Sequence, residues 1–282
     1  MPETVPRLLD PATFTAADHD DLLLVDVGDP ARFAEAHVPG ARLVVPSWLV
    51  SGQPPAPGRL PPPAQIQAVL ARIGWRPDRH VVIYDDEGGG WAGRFAWTLD
   101  VIGHDRWSYL DGGLHAWHHA GQPLLHGADD GADDGAAEPA PPITLRHEPV
   151  ATLDDVRAAI DDPAALVWDV RSAEEYRGEK SGSRRAGHVP GAIHLDWQAL
   201  KDPARQLRLQ VDVRGLLARH GIVPERRVIT HCQSHHRSGL SYLVGRLLDF
   251  PDIRAYDGSW AEWGNRDDTP VATGPTPGGA DR

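Results

Sequence analysis

One stretch of this chain occurs twice, and that repetition limits its fold more than any other feature. Leu70-Ala71-Arg72-Ile73-Gly74-Trp75-Arg76-Pro77-Asp78-Arg79-His80-Val81-Val82-Ile83-Tyr84-Asp85 aligns without gaps on Leu217-Ala218-Arg219-His220-Gly221-Ile222-Val223-Pro224-Glu225-Arg226-Arg227-Val228-Ile229-Thr230-His231-Cys232. Three further pairs keep the same order: Val25-Asp26-Val27 with Trp168-Asp169-Val170, His37-Val38-Pro39-Gly40-Ala41 with His188-Val189-Pro190-Gly191-Ala192, and Asp111-Gly112-Gly113 with Asp257-Gly258-Ser259. A tryptophan follows the last pair in each copy, at Trp117 and Trp263. Two long copies specify two domains, whereas a solenoid needs more and shorter repeats. With 282 residues, each copy is long enough to bury its own core.

Each copy alternates strand and helix signals. Leu22-Leu23-Leu24-Val25-Asp26-Val27 and Ala165-Leu166-Val167-Trp168-Asp169-Val170 are short apolar runs suited to strands covered on both faces. Ile66, Val69, Leu70 and Ile73 recur at i, i+3, i+4 and i+7, which predicts a helix over 62–74. Val81-Val82-Ile83-Tyr84 and Arg227-Val228-Ile229-Thr230 read as the next strands. The fold class that follows is α/β, each domain a mainly parallel sheet flanked by helices, with ligands expected at the carboxyl ends of strands.

The net charge of -12, with lysine only at Lys180 and Lys201, argues against a nucleic-acid partner. No run is apolar enough for a membrane span, and the start lacks the pattern of a secretory signal, so a cytoplasmic protein is expected. The segment 124–145, with Gly127-Ala128-Asp129-Asp130-Gly131-Ala132-Asp133-Asp134-Gly135 and then Pro139, Pro141 and Pro142, reads as a flexible acidic linker between domains 1–123 and 146–282. The tail from about 272, rich in Gly and Pro, reads as loose.

The single cysteine, Cys232, excludes an internal disulfide and stands at a strand end, in His231-Cys232-Gln233-Ser234-His235-His236-Arg237-Ser238-Gly239. Leu240, Leu243, Val244, Leu247 and Leu248 then recur at helical spacing. A strand-to-helix turn points backbone N–H groups inward and adds the positive end of a helix dipole, which makes an anion cradle. A thiol placed there becomes a nucleophilic thiolate, and His235, His236 and Arg237 add positive character. The polar loop and its cationic neighbours point to an exposed, reactive thiol rather than a core filler. His231, Cys232, His235 and His236 are possible metal ligands, but adjacent residues rarely converge on one ion and no second cysteine exists, so neither metal nor cofactor is expected. His115, His118 and His119 read as solvated surface.

These features together resemble the tandem rhodaneses: the repeated Asp-Val, the His-Val-Pro-Gly-Ala pair, the Asp-Gly-x-x-x-x-Trp pair and the loop Cys232 to Arg237. The resemblance covers nearly the whole chain and implies two rhodanese-like domains, the first inactive with Asp85 in place of the cysteine, the second active. It implies a sulfurtransferase that moves a sulfane sulfur from thiosulfate to cyanide or another thiophile through a Cys232 persulfide. Gln233, Ser234, His235, His236, Arg237 and Ser238 would bind the small anionic donor, and a thiol or a sulfur-accepting protein would be the acceptor in the cell. Arg171 matches the family's Asp-x-Arg arginine, which reaches the active site from another strand; a salt bridge to a nearby carboxylate is its alternative role. The chain departs from vertebrate-type members by having Glu175 where they carry a second arginine, with Arg177, Arg184 and Arg185 as possible substitutes, and by having Gln233 and Ser234 where they carry Arg and Lys. A 3-mercaptopyruvate sulfurtransferase would use the same cysteine but typically has small residues after it, and a non-catalytic rhodanese-type binding module usually lacks the cysteine. A cysteine phosphatase on the related fold needs arginine six positions after the cysteine, where Ser238 stands.

Overall fold

A computed structural model describes residues 5–14, 22–128 and 140–277. The chain divides into two compact units, Met1–Leu49 with Pro61–Arg146 and Lys201–Leu209, and Val50–Leu60 with His147–Leu200 and Gln210–Arg282. The boundaries read from sequence, 1–123 and 146–282, assign residues by chain order. The compact units assign 50–60 and 201–209 by contact.

Unit 1 contains β1 (Leu8–Leu9), β2 (Leu22–Val27), α1 (Pro30–Glu35), β3 (Arg42–Val44), α2 (Pro63–Arg72), β4 (His80–Tyr84), α3 (Gly90–Val101), β5 (Trp107–Leu110), α4 (Gly113–His119) and the hairpin strands β8 (Lys201–Asp202) and β9 (Arg208–Leu209). Unit 2 contains α5 (Leu153–Ala159), β6 (Ala165–Asp169), α6 (Ala173–Arg177), β7 (Ile193–His194), α7 (Val213–Arg219), β10 (Arg227–His231), α8 (Arg237–Leu247), β11 (Ile253–Ala255) and α9 (Ser259–Trp263). Unit 1 builds a parallel sheet in the order β1-β5-β4-β2-β3, and unit 2 one in the order β11-β10-β6-β7. A parallel pairing of Val150 with Ala255 extends the second sheet on the side where β1 extends the first, so the repeat is topological as well as sequential.

Local chemistry explains the boundaries. Asp29 caps α1 by accepting from the N–H of Ala31, with Pro30 at the first helical position. The helix expected over 62–74 runs from Pro63 to Arg72 because Ile73 closes it and Gly74, at φ 66°, turns the chain into left-handed space closed to most side chains. α5 and α6 both begin with capping boxes, Thr152 with Asp155 and Ser172 with Glu175. The repeated histidines prove to be structural. His37 stacks on Phe33 and bonds its carbonyl through Nδ1, and His188 does the same with Tyr176.

The tail is tied down through residue 277, a correction to the loose tail expected from 272. His188 and Ala272 exchange backbone bonds, and Gly191 N–H donates to the carbonyl of Pro277. Polar composition mattered less than the unpaired backbone of the loop around Gly187, which these bonds satisfy. At the linker, Leu125 pairs with His37, while 129–139, the most acidic part of the expected linker, lies outside the described residues, as does the tail beyond 277. No described helix is long and apolar enough to cross a membrane.

The central strand β10 carries the core of unit 2, where Ile229 is fully buried among Val167, Tyr176, Val189 and Trp260. Ile229→Ala is expected to lower stability by about 2–5 kcal/mol through lost burial and a residual cavity. Urea unfolding of the two proteins, with an unchanged denaturant slope, checks this.

Candidate active site

β10 is an inner strand, parallel to β11 on one side and β6 on the other, and Cys232 is the first residue beyond its carboxyl end. The loop Gln233–His236 then leads directly into α8. His235 turns the chain at φ 53°, and its Nδ1 bonds the Ser238 hydroxyl at 2.8 Å. From the opposite side, the first N–H groups of α9 fasten the loop: Trp260 N–H donates to the carbonyl of Cys232 at 3.0 Å and Ala261 N–H to that of Gln233 at 2.9 Å. The repeated Asp-Gly-Gly/Ser motif thus leads into the helix that braces the loop, since Leu114 N–H holds the carbonyl of Asp85 in the same way.

Cys232 is 1% exposed, which corrects the expectation of an exposed thiol. The N–H groups of Ser234 and Ser238 and the Ser238 hydroxyl donate to the sulfur. Burial pushes the thiol up, but the charge of Arg237 and these hydrogen bonds outweigh it and hold the thiol below its ordinary value. Arg237, at the first position of α8, is the cation that matters. Its Nη1 and Nη2 donate to Glu175 Oε2 and Oε1 at 2.6 and 2.9 Å, a bidentate pair. Burial depresses Glu175's acidity, yet the bonds from Arg237 prevail and keep its carboxyl below the usual range.

The expected site residues divide into groups. Gln233, Ser234, His236, Arg237 and Ser238 all lie on the cradle, with Gln233 donating to Ser183 Oγ at 3.0 Å and His236 packed against the Trp197 ring at 5.7 Å. His235 is wholly buried, and its Nδ1 bonds the Ser238 hydroxyl inside the loop. Arg171, also wholly buried, takes the salt-bridge alternative. It donates to both Asp169 oxygens and to the Gly187 carbonyl at 2.7 Å, and lies 4.4 Å over the Trp260 ring. His231, next to Cys232, approaches Asp169 at 3.7 Å, so this pair supports the strand that carries the cysteine. Arg177, Arg184 and Arg185 bond Glu179, Asp267 and Thr269 respectively. Among the described residues, no group of three or more His, Cys, Asp or Glu side chains is placed to hold a metal ion. His115, His118 and His119 are exposed.

Unit 1 has the same cradle with a different occupant. The Asp85 carboxylate accepts from the N–H groups of Gly88, Gly89 and Ala92 at 3.0, 2.8 and 3.0 Å. Burial, with the Glu87 charge, pushes it up to about 6 even so. This loop therefore binds a carboxylate of its own chain.

Three features escaped the sequence reading. In the sequence Glu175 is only a departure from the vertebrate-type pattern, whereas in the structure it holds Arg237. Ser183 reaches Gln233 from the loop before His188. The segment 50–60 closes over the cradle in unit 2: a Cβ on Gly58 would fall 2.0 Å from the Ser234 carbonyl oxygen, Arg59 pairs with Glu262, and Leu60 N–H donates to Asp257 at 2.7 Å. In unit 1, Leu209 N–H donates to Asp111 at 2.8 Å, so the repeated Arg-Leu at Arg59-Leu60 and Arg208-Leu209 was the available signal.

The model of the rhodanese-like domain matches residues 11–120 and 152–266. The thiosulfate sulfurtransferase of Azotobacter vinelandii is 45% identical over 269 residues, covering 95% of this chain and 97% of its own. That of Pseudomonas aeruginosa is 49% identical over 256 residues, covering 89% and 91%. Among solved structures, the anaerobic ergothioneine biosynthesis enzyme from Chlorobium limicola superposes with a TM-score of 0.82 at 23% identity, over 95% of this chain and 70% of that one, a likeness of fold alone. The chain belongs to the rhodanese family, with two rhodanese-like domains.

Arg237→Gln removes the cation while burial remains. The pH midpoint of Cys232 alkylation by iodoacetamide is therefore expected to rise by about one unit, because the thiolate loses its main side-chain partner. Rates measured across pH on wild type and variant check this.

Proposed function

We propose that the chain is a sulfurtransferase that moves a sulfane sulfur from thiosulfate to a thiophilic acceptor through a persulfide on Cys232. The observation that carries this reading is a buried thiol at the end of a central parallel strand, lowered in pKa by Arg237 and loop hydrogen bonds. The names of the Azotobacter and Pseudomonas relatives support it.

The Cys232 thiolate attacks the outer sulfur of thiosulfate. The sulfur–sulfur bond of the donor breaks, and sulfite leaves with the electron pair. The negative charge then resides on the terminal sulfur of the persulfide, within reach of the same loop N–H groups, which accept it with little reorganisation. Cyanide, a thiol or a sulfur-accepting protein attacks that terminal sulfur and returns Cys232 to the thiolate. Gln233, Ser234, His236, Arg237 and Ser238 bind the donor, while His235 and Arg171 hold the loop and strand in place. The 1–123 copy is catalytically inactive because Asp85 fills its cradle and offers no sulfur nucleophile, and the 146–282 copy is active. A cytoplasmic location suits this chemistry, since a lone thiol stays reduced there.

Intact mass after mixing with thiosulfate is expected to rise by about 32 Da, one sulfur, and to fall back on addition of cyanide. Cys232→Ser shows neither change. A gain with 3-mercaptopyruvate but not thiosulfate would move the donor assignment. No gain with either would overturn the persulfide reading.

A further inference from the structure

Glu175 is 8% exposed and fixed at both ends. Its Oε2 accepts from the Ser172 N–H at 3.1 Å as part of the capping box of α6, and its two oxygens take Nη1 and Nη2 of Arg237. The cation nearest the thiol is therefore already paired with a carboxylate. A donor that approaches Arg237 meets a pair with no net charge and a carboxylate oxygen beside the guanidinium. It must share those N–H groups or displace Glu175 from them. The second negative charge of a dianion is penalised more than the single charge of a monoanion, because like charges repel strongly where water is largely excluded.

We propose that Glu175 sets the charge selectivity of the sulfur donor, by pairing with Arg237 and so limiting the attraction of the cradle for a dianion. It is a positioning residue that acts through Arg237, and the proposal rests on the sulfurtransferase reading. Other charged and titratable groups around the thiol include His231 at the end of β10, Asp169 at the end of β6 with Arg171 just beyond it, His235 and His236 in the loop, and the Arg59–Glu262 pair and Asp257 where 50–60 meets the loop's far side. Asp169 is paired with Arg171. A substitution at Glu175 changes the charge of its pair with Arg237 without opening the Asp169–Arg171 pair.

Glu175→Gln removes the charge and keeps the cap, since glutamine serves the same position of a capping box. Steady-state kinetics would use thiosulfate, a dianion, and benzenethiosulfonate, a monoanion, each with cyanide as acceptor. The expected result is a KM for thiosulfate lower by about tenfold, a KM for benzenethiosulfonate changed by less than about threefold, and a midpoint for Cys232 alkylation lower by about half a pH unit. Equal changes for both donors, or an unmoved alkylation midpoint, would overturn the proposal. Glu175→Ala loses the cap as well as the charge, so its melting temperature falls below that of Glu175→Gln, which separates capping from charge. Alkylation requires no sulfur transfer. If wild type takes sulfur from neither donor, the sulfurtransferase reading fails and donor selectivity with it, while the alkylation midpoint still reports whether Glu175 acts on the thiol.

Discussion

A sulfur anion out of contact with water is costly unless fixed dipoles or a cation replace the lost hydration, and the architecture of unit 2 follows from meeting that demand at Cys232. A parallel strand that ends inside the protein and turns at once into a helix supplies the dipoles, because the turn leaves N–H groups without backbone partners. α9 holds the carbonyls of Cys232 and Gln233 from behind, so the loop keeps its N–H groups directed inward. The same construction in unit 1 holds the Asp85 carboxylate, with the Asp85 carbonyl again braced by a later helix, α4, through Leu114 N–H. One cradle stabilises two different anions, a carboxylate at Asp85 and a thiolate at Cys232.

The charges near the cysteine are arranged in two pairs of different character. Asp169 and Arg171 are both wholly buried, and Asp169 is held well below the usual carboxylate range, against burial, mainly by the charge of Arg171. That pair, with His231 beside it and the Trp260 ring beneath Arg171, anchors the ends of β6 and β10. Arg237 and Glu175 remain partly accessible, with 20% and 11% of their side chains exposed, so a ligand can compete for them. The buried pair joins the ends of β6 and β10, and the other pair meets the thiol through the charge of Arg237.

Much of this was legible in the sequence because strand and loop patterns are local. The apolar runs at 22–27 and 165–169 and the helix face of Ile66, Val69 and Leu70 are set by burial on one or both faces, which periodicity records directly. The loop from Cys232 to Ser238 is continuous in the chain, so its cradle could be read from one segment. Exposure could not be read that way. The polar loop suggested an open thiol, but a ring of backbone groups and neighbouring segments encloses the sulfur, and His235 is buried because its ring satisfies Ser238 inside the loop.

The residues that escaped notice come from distant parts of the chain. Glu175 meets Arg237 across 62 positions, and Leu60 meets Asp257 across 197. The sequence by itself determined the repeat, the two α/β domains, the position of the thiol at a strand end and the asymmetry between Asp85 and Cys232, because each is a local pattern or a comparison of two local patterns. Only the tertiary structure decided how deeply the thiol is buried, that Arg171 is spent on Asp169 while Arg237 is shared with Glu175, and that 50–60 closes over the cradle. Those outcomes depend on which side chains the folded backbone brings within hydrogen-bonding distance, and a linear pattern carries no record of that.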